Sequence, residues 1–272
     1  NAYNTAVGAN AGLSMTTGTE NTIMGGLAGD ALTTGNRNVA IGYDALGAEV
    51  RGDRNVAIGF DALGDQSNAG HVDVYNTAVG YEAGKAITTG LYNTVLGGEA
   101  LLTNVDGDKN TAIGFRALKS FEADTDGHGE NTAVGSNAAE NMSTGANNVA
   151  VGQSAIGSGV TTGDYNVAVG HSAGLALTSG VRNTIIGGLA GDALTTGNFN
   201  VAIGYESLSA EDNGNYNVAI GYNALKVLDA GDAYNTAIGF DAGKLVSTGL
   251  YNTIIGGLAG DALTTGESNI AI

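Results

Sequence analysis

The stretch Asn217-Val218-Ala219-Ile220-Gly221-Tyr222-Asn223-Ala224-Leu225 contains the pattern that decides the fold. Its leading Asn recurs along the whole chain. Eleven of the fifteen steps between successive copies are 17 residues, two are 18 and two are 21. Repetition at a short fixed period indicates a solenoid, in which each repeat forms one coil that stacks on the next. The repeat asparagines are residues 4, 21, 38, 55, 76, 93, 110, 131, 148, 166, 183, 200, 217, 235, 252 and 269.

Positions within a coil are counted from this Asn as position zero. Position three is aliphatic or Met in every copy, position four is Gly in every complete copy, and position seven is Ala except for Ser207. Positions one to three alternate with period two, which predicts a strand, and Gly at position four predicts a bend. A second short extended piece is expected around position seven, and a Thr-Thr-Gly closure often ends the coil.

These observations predict an all-β fold, a parallel β-solenoid of the β-roll type. Each of its fifteen coils has about 17 residues, too few for a helix-containing repeat. Residues 1–272 are expected to form one continuous array, as a segment of a longer fibre. The 21-residue coils place their extra residues at 64–74 and 119–130, and both stretches are expected to bulge outward and stay exposed.

Composition narrows the possible functions. The 272 residues include 46 Gly, no Pro and no Cys, and the formal net charge is −17. Gly without a three-residue period is not typical of collagen, and 43% hydrophobic content argues against disorder. A surface this acidic disfavours nucleic acid as a partner. No apolar run reaches the length of a membrane span, so no membrane insertion by this segment is expected.

Two pairs of positions vary in step. Position two is large in four coils, as at Ile23, and the same coils have Gly at position five, as at Gly26. This predicts that the two positions share a space or flank one bend. Where position eight is Gly, position eleven is apolar; where position eight is Leu, position eleven can be polar, as at Leu46 and Glu49. We therefore expect one buried apolar side chain per coil, an apolar anchor, at either position eight or position eleven.

Alternation along the strand turns position two inward and position three outward. A stacked outward column of aliphatic residues exceeds what a soluble monomer exposes, so a partner is expected to cover it. Three identical chains around one axis satisfy this, because each offers its column to the other two. The opposite assignment, with position three inside, would permit a monomer. The predicted trimer core contains Ile41, Ile58, Ile113, Ile186, Ile203, Ile220, Ile238 and Ile255.

Segments such as Asn76-Thr77-Ala78-Val79-Gly80 resemble the head repeats of trimeric autotransporter adhesins, which also begin with Asn and carry a Val-Ala-Ile-Gly core. The Thr-Thr-Gly closure and the longer period are similar to repeats of bacteriophage tail fibres. The resemblance covers the whole chain and implies a structural or adhesive shaft of an extracellular homotrimeric fibre, on a cell surface or a virion. It also implies a surface receptor, which the sequence does not identify.

No pattern of catalytic residues accompanies the repeat, and the chain is not expected to be an enzyme. Three histidines are far apart in sequence, and the carboxylates are scattered. No cofactor is expected. The weak calcium candidates are oxygen ligands at alternate positions of the longer linking segments, Asp106, Asp108, Asp124 and Asp126. The alternative function is a monomeric solenoid that binds ice, glycan or calcium.

Overall fold

The computed structural model describes residues 3–68, 70–123 and 128–272. It is an all-β parallel solenoid of about fifteen coils, with about 17 residues in each, and no helix occurs in the described ranges. The chain divides into two compact units, Asn1–Ser136 and Asn137–Ile272. Each unit contains eight short strands.

The strands of the first unit are β1 Thr5–Val7, β2 Thr22–Met24, β3 Val39–Ile41, β4 Val56–Ile58, β5 Thr77–Val79, β6 Thr94–Leu96, β7 Thr111–Ile113 and β8 Thr132–Val134. Those of the second unit are β9 Val149–Val151, β10 Val167–Val169, β11 Thr184–Ile186, β12 Val201–Ile203, β13 Val218–Ile220, β14 Thr236–Ile238, β15 Thr253–Ile255 and β16 Ile270–Ala271.

Within each unit, every strand pairs in parallel with the strand of the next coil, and equal positions face each other. Ala202 pairs with Ala219, and Ile203 with Ile220. The register therefore stacks each position of the repeat into a column. Position four shows why one column is invariant: Gly204 has a φ of 131°, and a Cβ there would lie 2.4 Å from the carbonyl oxygen of Gly221. Only Gly meets both conditions.

The repeat asparagines form a buried hydrogen-bonded ladder, which is expected when one Asn per coil stacks in register. The backbone N–H of Asn200 donates to Oδ1 of Asn183 at 2.9 Å, and the N–H of Asn217 donates to Oδ1 of Asn200 at 2.9 Å. The Asn200 side chain also closes its own coil, because its Nδ2 donates to the carbonyl of Gly214 at 2.7 Å. Asn200 thus ties one coil to the next and the start of its coil to the end, and most of the described repeat asparagines make the same pair of bonds.

The expected second strand around position seven is absent from the described coils, where one strand per coil is followed by turns. The residues on either side of position seven have left-handed backbone conformations, for example Asp44 with φ 57° and Leu46 with φ 55°. Left-handed residues interrupt an extended chain, so Ala45 lies in a turn. Its side chain is nevertheless fully buried, as predicted for the coil interior.

The apolar anchors occupy positions eight and eleven, as the paired variation of these positions predicts. Leu32 at position eleven and Leu46 at position eight are both fully buried. Positions two and five do not share a space, because Ile23 is buried and the aromatic residues of the position-five column are exposed. They flank the bend at Gly25, which is the other arrangement that the sequence predicted. Gly at position eight makes room for a large position two: a Cβ at Gly29 would lie 3.3 Å from Cδ1 of Ile23.

The two long insertions are less exposed than expected. In 64–74, Gln66 and Val74 are fully buried, whereas His71 is exposed. In 119–130, Phe121 is fully buried. The expectation of bulging, exposed segments is therefore wrong for these side chains; Gln66 and Phe121 occupy position eleven, the buried anchor position of the other coils. Residues 69 and 124–127 lie outside the described ranges.

Candidate interaction face

The outer side of the strands in each unit is an apolar surface, here called the sheet face, made of the columns at positions one and three. The position-one column contains Thr, Val and one Ile, and the position-three column contains Val, Ile, Leu and Met, so no charged residue occurs in either. Position two faces inward and is buried in every strand from β2 to β15. The outward direction predicted for position three is confirmed.

The predicted core residues all lie on this face, with different exposures. Ile186, Ile238 and Ile255 are exposed, with 37–40% of their surface accessible. The others, Ile41, Ile58, Ile113, Ile203 and Ile220, are half-buried by their column neighbours. Within a single chain the column therefore retains a large accessible apolar surface.

Two aromatic columns border the sheet face. The first is position five, directly after the Gly bend, and is here called the five corner. Its rings stack from coil to coil: Tyr205 lies over Tyr222 with centroids 5.6 Å apart, and Tyr222 over Phe240 at 5.4 Å. Tyr43, Phe60 and other aromatic residues extend the pattern to the first unit. All are exposed, and no residue in the column is an acid, Lys or Arg.

The second aromatic column is the residue before each repeat Asn, here called the minus-one corner. In the second unit Phe199, Tyr216, Tyr234 and Tyr251 stack with centroid separations of 4.8–5.6 Å. Arg182 lies over the ring of Phe199 at 5.6 Å and continues the stack. Sequence reasoning missed this column. Its signal was an aromatic residue before half of the repeat asparagines.

Because the rings stack, only part of each ring is open to a binding partner. Each internal ring is covered on both faces by the rings of the coils before and after it, so it presents its edge and, for Tyr, its hydroxyl. A sugar ring binds to an aromatic face, and these faces are occupied along the stack. The geometry therefore disfavours the glycan alternative on either corner.

Charged side chains lie away from the sheet face, and several pair between coils. Nζ of Lys85 lies 2.7 Å from Oδ2 of Asp61, and Nζ of Lys119 lies 2.7 Å from Oε2 of Glu99. These pairs join position nine to position six of the preceding coil. Because these pairs lie at the solvent-facing surface, they contribute little to stability.

The calcium candidates do not form a common site in the described residues. The Asp108 carboxylate accepts a hydrogen bond from the Leu91 N–H at 2.7 Å. One oxygen of Asp106 is buried and has no partner among the residues described. Asp124 and Asp126 lie outside the described residues. Three other carboxylates, those of Glu211, Asp212 and Asp229, lie within 4.8 Å of one another, and only Glu211 is buried.

Ice binding by a solenoid would need exposed threonines, which here occur as the Thr-Thr pairs of the coil closures. These pairs use part of their polar surface internally. The hydroxyl of Thr33 donates to the carbonyl of Val50 at 3.1 Å, and that of Thr195 donates to the carbonyl of Asp212 at 2.8 Å. These hydroxyls hold successive coils together. They are therefore not a free array of donors for ice.

No protein-family model, curated protein or solved structure matches the chain. Among the residues that the structure describes, no helix has the length and apolarity needed to cross a bilayer. The candidate interaction surface therefore consists of the uncharged sheet face of the solenoid and its aromatic corners.

Proposed function

We propose that the chain is a structural shaft segment of an extracellular homotrimeric fibre, with three sheet faces packed around a common axis. One observation carries the proposal: position three is an uninterrupted aliphatic column, open to solvent in the single chain, on a face without any charge. A surface of this kind on a chain of net charge −17 is typical of an interaction site.

The energetics favour covering this face. A half-exposed aliphatic side chain gains about 1 kcal/mol when its remaining surface is buried, so a whole column contributes on the order of 10 kcal/mol per chain. Approach through any other side would bring acidic surfaces together, which costs energy. Three-fold symmetry lets one column per chain meet two identical ones, and it closes the assembly.

The proposed role is mechanical. Coils of one design extend a fibre without changing its cross-section, and the trimer places the apolar residues at the axis. The charged and polar sides of the coils would then face solvent, so a surface receptor would meet these sides. Adhesin and tail-fibre roles are both compatible with this arrangement. We propose no catalytic activity for this segment.

The first experiment is the mass in solution, measured by light scattering after gel filtration. We expect three times the 26.9 kDa of one chain. A stable monomer would contradict the trimer and favour the monomeric ligand-binding alternative.

The face itself is tested by Ile203→Asp. Three carboxylates would meet at one height in an apolar core, where desolvation and mutual repulsion oppose ionisation. We expect loss of the trimer or a fall in melting temperature of more than 10 °C, measured by light scattering and circular dichroism. The matched control is Ala210→Asp, at an exposed position of the same coil. Equal effects of the two changes would mean that position three does not face a core.

A further inference from the structure

We infer that each chain's minus-one corner packs against the five corner of its neighbour, and that aromatic edges from two chains form the seam of the trimer. This inference rests on the proposed function. The clearest part of the seam is in the second unit, at the coils of Asn200, Asn217 and Asn235. Its rings are Phe199, Tyr216 and Tyr234 on one corner and Tyr205, Tyr222 and Phe240 on the other.

The two corners cannot pair within one chain. They are six residues apart, with an extended strand between them, so they lie up to about 20 Å apart on opposite borders of the sheet face. Their rings stack along their own columns: Tyr216 stacks on Phe199 and Tyr234, whereas Tyr222 stacks on Tyr205 and Phe240. Each corner therefore presents a row of ring edges that remains partly accessible in the single chain.

Cyclic symmetry brings the two corners together. An interface in a closed three-fold ring is heterologous, which means that two different surfaces meet at each contact. When the sheet faces turn toward a common axis, one border of each face adjoins the opposite border of the next. The minus-one corner of one copy then lies beside the five corner of its neighbour.

The chemistry of both corners fits such a contact at the same three coils. All six rings are exposed, with 42–56% of their surface accessible. The column stacks hold the rings in place, so little side-chain entropy remains to be lost on packing. Apolar ring edges can pack together, and the tyrosine hydroxyls can find hydrogen-bond partners at the rim.

The size of the combined surface also suits a second copy. Eight coils at about 4.8 Å and a width of about 20 Å give roughly 800 Å² for one unit, which equals one partner's share of a standard interface. The sheet face alone, about half as wide, falls short of that area. The corners therefore supply the remaining contact.

Cross-linking tests the seam directly, because the chain contains no Cys. A chain carrying both Tyr216→Cys and Tyr222→Cys is treated with a bismaleimide of about 10 Å span, too short to join the two corners within one chain. We expect a covalent trimer on a denaturing gel from the double variant and only monomers from each single variant. Cross-linked single variants would overturn the inference, since like corners would then meet.

A second measurement covers the case in which buried thiols do not react. Tyr216→Lys and Tyr222→Glu should each lower the melting temperature by several degrees. The combined variant should recover most of that loss, because the new charges pair across the seam. A trimer that shows neither cross-linking nor this recovery would overturn the seam and leave the proposed trimer intact. Cross-linking that stops at a dimer, or a monomer in solution, would overturn the proposed function itself.

Discussion

Adjacent glycines in one coil serve different purposes. Gly187, at position four, has a φ of 134°, and a Cβ there would lie 2.5 Å from the carbonyl oxygen of Gly204. Gly188, at position five, would place its Cβ 3.5 Å from the ring of Tyr205, which is an ordinary contact. The first is required by backbone conformation and coil stacking, and the second can be replaced without steric conflict.

Alanine at these two sites gives a direct comparison. We expect Gly187→Ala to lower the free energy of unfolding by about 3 kcal/mol, because it combines backbone strain with overpacking against the next coil. Gly188→Ala should change it by less than about 1 kcal/mol. Thermal and denaturant unfolding of both variants provide the measurement. Similar losses of stability in the two variants would show that close contact with the next coil is not what requires Gly at position four.

At the scale of the coil, position eleven presents two buried glutamates in contrasting surroundings. Burial alone would raise the pKa of Glu49, but hydrogen bonds from the side chains of Asn68 and Gln66 and from backbone N–H groups outweigh it, so the pKa is lowered. Burial raises the pKa of Glu211, whose bond from the Gly214 N–H at 2.6 Å only partly compensates. The nearby Asp229 carboxylate adds to the increase.

The two sites should respond to pH in opposite ways. A lowered pKa means that Glu49 stabilises the fold above the ordinary carboxyl range, and that this contribution is lost as the pH falls through its folded pKa. Glu211 binds its proton more tightly in the folded chain, so stability is lost as the pH rises from about 4.5 through its raised pKa.

Glutamine replacements test this contrast. At pH 7, Glu49→Gln should lower the melting temperature, because its new amide would face the donors of Gln66 and Asn68. Glu211→Gln should raise the melting temperature, since it removes a buried charge and keeps an acceptor for Gly214. Both differences should shrink toward pH 3. Melting curves from pH 3 to 8 would refute the assignment if the two variants shifted in the same direction.

The sequence predicted the strand, the invariant Gly, the Asn ladder and the outward position three, because each depends on equal positions stacking. It did not predict a single strand per coil. Leu46 has no preference for left-handed backbone and Asp44 only a modest one, so stacking on neighbouring coils holds them there. The minus-one corner was missed because its aromatic residues lie outside the alternating strand and occur in only half of the coils.

For the whole molecule, charge opposes the assembly that the apolar face favours. Each chain has a formal charge of −17, and only the sheet face and the five corner are free of acids, Lys and Arg. Joining three such chains concentrates negative charge around one axis. Salt screens this repulsion over a distance of about 10 Å at 0.1 M.

The trimer should therefore strengthen with ionic strength. Raising NaCl from about 0.01 M to about 0.5 M should shift the monomer–trimer equilibrium toward trimer by at least tenfold, as measured by sedimentation at several protein concentrations. The control is Ile203→Asp, which should remain dissociated at both salt concentrations. Weaker assembly at high salt would indicate ion pairs between chains instead of an apolar interface.

The Asn ladder has a consequence for the order in which the chain acquires structure. Every ladder bond between backbone and side chain runs the same way, with the amide of the later coil donating to the Oδ1 of the earlier one, as Asn217 does to Asn200. A finished coil therefore offers an acceptor, fixed in position, to the residues that leave the ribosome next. Each coil can serve as a template for its successor, so the solenoid is suited to propagate in the direction of its own synthesis.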